Sequence, residues 1–235
     1  MKKYIFTILM VFLSTLSYSD VEFNSGVFNN LVIGGVGSTE VTLTTSVDTY
    51  LNGGSNASTN YGTSAGIIVK DRTSNGDVTR TGLVKFDLSS IPGGSTINSV
   101  TLTVVLSQGV DATNKVRVFE GLRNWVEAEA TWNIYSTGNS WTTAGARGDT
   151  TDITGDWETD ANMLASSSTT TADLTDALLT FTSTSDFIDH ITANIGGTAN
   201  LVFHQNTNEN ATVVYKSSDH GDAATDSPKL IITYQ

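Results

Sequence analysis

Three pieces of sequence decide the fold of this chain: RTGLVKFDLSSIPGGSTINSVTLTV (residues 80–104), KVRVFEGLRNWVEAEATW (115–132) and NIYSTGNSWTTAG (133–145). In the first piece, apolar and polar residues alternate on both sides of an Ile91-Pro92-Gly93-Gly94 turn, which is typical of two β-strands joined by a short loop. The second piece begins as a further strand. It leads into a long polar excursion, predicted at residues 121–148, that carries Trp125, Trp132 and Trp141. A loop of this length either packs through its own aromatic residues or carries function.

The rest of the chain repeats the strand pattern. Alternating apolar residues predict strands at 41–51, 66–70, 79–88, 97–106, 115–120, 177–182, 201–205, 212–216 and 229–234. One helix is predicted at 185–194, where Phe187, Ile188 and Ile191 share a face. Many short strands with one short helix indicate an all-β fold, a two-sheet antiparallel β-sandwich of the jelly-roll type. We expect the first and last strands to pair or to lie next to each other, because the termini of compact domains often lie close together.

The first residues have the pattern of a secretory signal peptide. Lys2 and Lys3 precede an apolar run at residues 4–16, and Ser17-Tyr18-Ser19 is a small-x-small cleavage site. Cleavage is therefore predicted after residue 19, which makes the mature protein secreted, extracellular or periplasmic. Residues 20–40 are predicted as a lead-in or an extra edge strand, and residues 41–235 as the β-sandwich domain. After the predicted signal peptide, the sequence has no second apolar run long enough for a membrane span, so membrane insertion is not expected.

The charge of the chain limits its partners. The formal net charge is −12, and removing Lys2 and Lys3 lowers it to −14. A general basic field for nucleic acid or for anionic lipid is therefore not expected. The chain has no cysteine, so disulfide bonds do not hold the fold. Its many carboxylates make calcium a sensible partner, although acidic surfaces also keep exported proteins soluble.

A series of short motifs resembles the DNRLRE family, which consists of secreted β-sandwich domains related to carbohydrate-binding modules and to disaggregatase repeats. The motifs occur here in the family's order: Asp48-Thr49-Tyr50, Asn60-Tyr61-Gly62, 83–92, Trp125-Val126-Glu127, Thr131-Trp132, 215–218 and 228–234. The resemblance implies a non-catalytic jelly-roll module, and some related modules bind acidic polysaccharides such as alginate. It also implies structural calcium as an option. The chain departs from the family near residues 173–194, where it has Phe187 and no tryptophan.

Scarce cations and exposed aromatic residues are the candidates for binding a polysaccharide. Arginine can hold a carboxylate with two hydrogen bonds, and tryptophan rings stack on sugars. The predicted ligand-binding residues are Lys70, Arg72, Arg80, Lys85, Arg117, Arg123, Trp141 and Trp157. Trp125 and Trp132 are expected to pack the excursion onto the sandwich, although the sequence leaves a ligand contact open for both. Each cation could instead pair with an acidic residue of the chain.

Oxygen-rich loops supply a candidate calcium site, for which we assign Asp48, Asn60 and Asp219. These loops do not match an EF-hand, and turn-forming Asp and Asn residues explain them equally well without metal.

The sequence therefore predicts a secreted module that binds polysaccharide without cleaving it, and no catalytic residue is assigned. One alternative is a structural subunit of a fibre, surface layer or matrix, which would self-associate through an N-terminal strand. Another is an enzyme. A polysaccharide lyase would use His204 and Tyr215, and a glycoside hydrolase would use carboxylates such as Glu120, Glu127 and Glu129. His204 is otherwise expected at the sheet surface.

Overall fold

The structure is a computed structural model and describes residues 37–71, 78–109, 115–168, 175–205 and 212–235. The strands are β1 (Thr39–Thr44), β2 (Val47–Asn52), β3 (Gly66–Val69), β4 (Arg80–Asp87), β5 (Ile97–Gly109), β6 (Lys115–Glu120), β7 (Ile134–Ser136), β8 (Asn139–Ser140), β9 (Ala165–Ser168), β10 (Leu178–Thr180), β11 (Thr182–Ser183), β12 (Thr198–Gln205), β13 (Val213–Lys216) and β14 (Lys229–Tyr234). The helices are α1 (Ser185–Ala193) and the four-residue α2 (Ala223–Asp226). The predicted signal peptide and most of the predicted lead-in lie outside the described residues.

Two antiparallel sheets form the sandwich. The first sheet has the order β1-β14-β5-β13-β3, and β10 also pairs with β5. The second has the order β11-β9-β6-β12-β4-β2, and β7 with β8 forms a separate hairpin. The predicted all-β sandwich with a short helix is therefore confirmed. The first and last strands pair as expected, with Leu43 opposite Leu230.

The space between the sheets is filled by alternate residues of facing strands. Val84 and Phe86 of β4 and Phe203 of β12 are buried against Leu102 and Val104 of β5. This alternation is what a strand with one face in a core requires. Glycine is required at position 82, because a Cβ there would lie 2.8 Å from Cγ2 of Ile67.

A second core lies on the outer face of the second sheet. Leu83, Phe119 and Val202 have the opposite parity to the residues of the first core, and they pack against Trp125 and Trp141. These tryptophans belong to the segment between β6 and β9. This segment covers residues 121–164, so it is longer than the excursion predicted at 121–148, and from here on the name excursion refers to residues 121–164. The second sheet is therefore covered on both faces, and residues 201–205 of β12 are all buried.

The predicted strand at 41–51 is two strands in different sheets. β1 pairs with β14 in the first sheet, whereas β2 pairs with β4 in the second. The chain crosses between the sheets at Thr45, whose backbone N–H donates to the carbonyl oxygen of Pro228 and whose hydroxyl donates to that of Lys85. The sequence also misses β9, because its residues are Ala-Ser-Ser-Ser and carry no apolar alternation.

The predicted helix is confirmed as α1, with Phe187 and Ile191 buried against the sandwich. Among the described residues, no helix has the length and apolar character needed to cross a bilayer.

Candidate functional site

The excursion is anchored to the second sheet through Trp125. Its ring is 1% exposed, and its Nε1 donates to Oδ1 of Asn200 on β12 at 2.5 Å. The ammonium group of Lys85 on β4 lies 4.5 Å from the centre of that ring and donates to the carbonyl oxygen of Trp125. Burial lowers the pKa of Lys85. The predicted ligand-binding residue Lys85 is thus placed beneath the excursion, where it holds Trp125.

A buried carboxylate organises the middle of the excursion. Asp152 accepts hydrogen bonds from the backbone N–H groups of Thr142, Thr143 and Gly148, at 2.9–3.1 Å. Arg123 donates from Nε to the same carboxylate at 3.1 Å. Since the Asp152 side chain is fully buried, Arg123 supplies the charge that a buried carboxylate needs. Arg123 itself remains one-third exposed.

The other predicted tryptophans divide between packing and partial exposure. Trp141 is buried in the second core, and its Nε1 donates to the carbonyl oxygen of Thr131 at 2.9 Å. Its ring therefore packs the excursion in this structure and offers no open face to a ligand. Trp132 is half-buried and lies over Gly145, where a Cβ would collide with the ring. The expected packing role of Trp125 and Trp132 agrees with these contacts.

Two of the predicted cations, Lys70 and Arg80, lie directly after β3 and at the start of β4. Lys70 is buried and forms an isolated bridge with Arg80. Arg80 is half-buried, and its Nε donates to Oδ1 of Asn52 at 3.2 Å. Arg72 lies outside the described residues. Lys70 and Arg80 therefore do not present an open cationic strip along the sheet.

Around Trp157, side chains from several segments meet. Arg147 lies 3.5 Å from the centre of the Trp157 ring, and its Nη2 bonds Oδ1 of the buried Asp71 at 2.8 Å. The His204 ring also packs near this group, with its centre 6.0 Å from that of Trp157. Arg117 of β6 donates from Nη1 to the carbonyl oxygen of Trp157 at 3.4 Å. The predicted residues Arg117 and Trp157 are thus brought together.

Two arginine–aromatic pairs are the best candidates for contacting sugar. The first is Arg123 with Tyr135, whose ring centre lies 5.7 Å from the guanidinium carbon. The second is Arg147 with Trp157. Both rings are half-buried, and each arginine is fixed by a buried carboxylate. Such pairs offer an apolar face beside fixed hydrogen-bond donors, which is what polar, ring-shaped ligands require.

Tyr135 and Arg147 were not identified from the sequence. The acidic partner of Arg147 is Asp71, which is 76 residues away along the chain. A sequence pattern gives no sign of such a distant contact. The one local sign is that Arg147 sits between Gly145-Ala146 and Gly148, in a turn where Ala146 has φ 57°.

The residues of the proposed lyase are not assembled. Tyr215 is buried between the two sheets, beside Phe181 and Phe203, and burial raises its pKa. His204 lies on the opposite face of the second sheet, with Nε2 3.1 Å from the carbonyl oxygen of Ala146. The expectation that His204 lies at the sheet surface is wrong, because the excursion covers it. The two residues cannot act on one substrate from these positions.

The carboxylates of the proposed hydrolase each have a packing role. Glu120 accepts from Thr154 Oγ1, Glu127 from the backbone N–H of Asp48, and Glu129 from that of Thr137. They therefore tie parts of the excursion to one another and to β2.

A titration of His204 checks its environment. Burial, with the charges of Arg147 and Arg117 nearby, lowers the pKa of His204 to about 3. We expect its imidazole signals in NMR spectra to stay unchanged from pH 8 to pH 5, because the ring remains neutral throughout. A midpoint near the ordinary value of about 6.5 would contradict this burial.

The predicted calcium ligands make hydrogen bonds and charge interactions within the protein. Asn60 makes three hydrogen bonds: its amide group donates to the carbonyl oxygens of Glu127 and Ala130, and its Oδ1 accepts from the backbone N–H of Gly62. Asp48 is buried and accepts from the backbone N–H of Ser218 at 2.8 Å. Burial raises the pKa of Asp48 to about 6, and the nearby charges of Glu127 and Asp219 contribute to the rise. Asp48, Asp219 and Glu127 therefore form an acidic cluster whose charges interact. Among the described residues, however, the three side chains whose ligand atoms all lie within 4.8 Å of one another are His220, Asp222 and Asp226.

Comparison with protein families gives one result. Residues 39–151 match the model of carbohydrate-binding module family 96. The matched part includes β1 to β8 and the excursion through Trp125, Trp132 and Trp141, and it ends before Trp157. No curated protein matches the chain. The match supports a carbohydrate-binding module.

Proposed function

We propose that this protein is a secreted, non-catalytic module that binds polysaccharide through the excursion. The observation that carries the proposal is the match of residues 39–151 to a carbohydrate-binding family, together with the two arginine–aromatic pairs on the excursion. The rigid support beneath them favours binding, because ligand contacts on a pre-formed surface cost little ordering on association.

Two observations favour binding over cleavage. Catalysis by proton abstraction needs a base within reach of the substrate proton, close to the groups that stabilise the product. His204 is enclosed by Trp157, Phe119 and the backbone of Ala146, and Tyr215 lies inside the sandwich. The carboxylates Glu120, Glu127 and Glu129 hold the excursion in place. A described residue with the exposure and position of a general base is not found among these candidates.

The test compares binding with cleavage on the same polymers. The mature protein is incubated with neutral and acidic polysaccharides, and bound protein is measured by affinity electrophoresis. New reducing ends and unsaturated sugar ends are measured in the same samples. We expect retardation by at least one polymer with neither kind of new end. Release of oligosaccharides above the rate of a heat-denatured control would make the protein an enzyme.

Assembly is the second candidate function, and the free edge of β1 favours it. Within the described residues, β1 pairs with β14 on one side and has no strand on the other. An unpaired edge can accept a strand from a neighbouring chain. Residues 20–36, which would supply that strand, lie outside the described residues. Sedimentation at rising concentrations tests this function: reversible polymers without glycan affinity would favour assembly over binding.

A further inference from the structure

One ion-pair cluster in the described part of the protein has more cations than acids. Lys115 and Arg117 of β6 both bind Asp160, through Nζ to Oδ2 at 2.5 Å and Nε to Oδ1 at 2.6 Å. In the other lysine and arginine ion pairs among the described residues, the acids equal or outnumber the cations. Arg123 and Arg147 each pair with one buried acid, and Lys216 pairs with both Asp176 and Asp226. In a chain of net charge −12, two cations sharing one acid is an exception.

The shared acid is exposed, although one of its partners is not. The Asp160 side chain is 51% exposed, whereas that of Arg117 is 7% exposed and that of Lys115 30%. The two carboxylate oxygens each take one cation, which is the arrangement that any carboxylate would adopt between these two groups. The pair between Lys115 and Asp160 is partly exposed and contributes little to stability, so it opens at low cost. Arg117 is buried and needs an anionic partner, so Asp160 can leave it only in exchange for another carboxylate.

The same cluster adjoins an aromatic ring. Arg117 also donates to the carbonyl oxygen of Trp157, and the Trp157 ring carries Arg147 on one face. Trp157 and Asp160 belong to one loop. Gly155 lies just before Trp157 and packs against the other side of this loop, where a Cβ would collide with the carbonyl oxygen of Ala161. Glu158 of this loop attracts Arg147, so the positive excess is confined to Lys115 and Arg117.

We propose that Lys115 and Arg117 form a carboxylate-binding clamp for an acidic polysaccharide, and that Asp160 is an internal competitor which occupies the clamp until a uronate carboxylate displaces it. The sugar ring would then lie against the Trp157 loop. This inference rests on the proposed function and names its ligand class. Trp157 and Asp160 lie beyond residues 39–151, so the clamp is completed by residues outside the part of the chain that matches the family.

The test replaces Asp160 with asparagine and measures affinity for polygalacturonate. Asp160→Asn keeps the shape of the side chain and removes the competing charge. We expect its Kd for polygalacturonate to fall by about threefold or more, the order of change that opening an exposed ion pair allows. Methyl-esterified polygalacturonate should show no such gain, because its carboxylates are capped. Adding Lys115→Gln to Asp160→Asn should abolish the gain.

Asp176→Asn is the matched control. It also removes one exposed carboxylate from an ion pair with a lysine, and it changes the net charge equally. Asparagine tolerates the positive φ of 61° at that position. Any effect of the long-range field on a polyanion is therefore the same in both variants. We expect the Kd of Asp176→Asn to stay close to that of the unaltered protein.

A second measurement needs no substitution. The carboxyl carbon of Asp160 is followed by NMR in the unaltered protein while polygalacturonate is added. The ammonium of Lys115 and the guanidinium of Arg117 hold the pKa of Asp160 below its ordinary value. Displacement by the polymer should raise that pKa toward the ordinary value. An unchanged titration with the polymer bound would place the ligand elsewhere and overturn the clamp.

The outcomes separate this inference from the proposed function. If the protein and Asp160→Asn bind no polysaccharide of any charge, both fail. If they bind polygalacturonate equally, the clamp fails and the module stands. If poly-glutamate gains as much affinity as polygalacturonate from Asp160→Asn, the ligand class is wrong, because the clamp would then read any polyacid.

Discussion

Replacing Asp48 with asparagine is expected to stabilise the protein at neutral and alkaline pH. Asp48 is a buried carboxyl whose pKa is raised to about 6 from an ordinary value of 3.8, chiefly by burial. Each pKa unit corresponds to about 1.4 kcal/mol, so ionising Asp48 lowers the free energy of unfolding by about 3 kcal/mol at pH 7. Asparagine removes this charge, and its amide oxygen can still accept the N–H of Ser218. We expect a gain of about 1–3 kcal/mol.

The sign of the pH dependence distinguishes this effect from simple repacking. The unfolded chain loses the proton of Asp48 near pH 4, whereas the folded protein keeps it until about pH 6. Asp48 therefore makes stability fall as pH rises between these values, and the fall is complete above about pH 6. Urea unfolding of both proteins at pH 4, 6 and 8 measures this difference. Equal stabilities at pH 8 would show that burial does not destabilise the ionised Asp48.

The same variant tests the predicted calcium site. Asp219 and Glu127 lie close enough to Asp48 to raise its pKa, and calcium prefers such carboxylate oxygens. If the cluster binds calcium, millimolar calcium should raise the melting temperature of the unaltered protein by mass action. Asp48→Asn should lose most of this response. An unchanged melt of the unaltered protein in calcium and in chelator would remove calcium from the account.

Replacing Trp125 with alanine is expected to be the most damaging single substitution in the excursion. The ring is buried in the second core, bonded to Asn200 and covered by the ammonium group of Lys85. Its loss leaves a large cavity and strips Asn200 and Lys85 of a partner, at a cost of about 3–5 kcal/mol in the free energy of unfolding. Because the excursion carries the arginine–aromatic pairs, polysaccharide binding should fall as well. Urea unfolding and affinity electrophoresis measure the two effects.

Leu122→Ala is the control for Trp125→Ala. Leu122 lies three residues earlier in the same excursion and is 43% exposed. Its truncation should change stability by less than about 0.5 kcal/mol, as exposed substitutions usually do. A loss for Trp125→Ala no larger than that for Leu122→Ala would mean that the second core does not hold the excursion.

The strands and the helix could be predicted because their residues carry the pattern locally. Val84 and Phe86 alternate with polar positions, and Phe187 and Ile191 recur at helical spacing. The pairing of β1 with β14 also agreed with a general property of compact domains. β9 could not be found in this way, since a strand of alanine and serine is recognised only by its neighbours in the sheet.

The sequence pattern predicts which face of the sheet carries a cation such as Lys85, but it does not predict what covers that face. Lys85 alternates with Val84 and Phe86, so it must lie on the outer face of the second sheet. Nothing local in the sequence indicates that residues 121–164 cover this face. The same cover buries His204 and brings Arg117 against Trp157 and Asp160. Sequence alone therefore selected several of these cations while assigning them to an open sheet surface.

The most direct test is equilibrium binding of residues 20–235 to a panel of neutral and uronate polysaccharides, with cleavage products measured in the same samples. We expect saturable binding to a uronate polymer, strengthened by Asp160→Asn and weakened by Trp125→Ala, with no new chain ends. Polymer cleavage, or the absence of affinity for every polysaccharide in the panel by a protein that is folded, would contradict it.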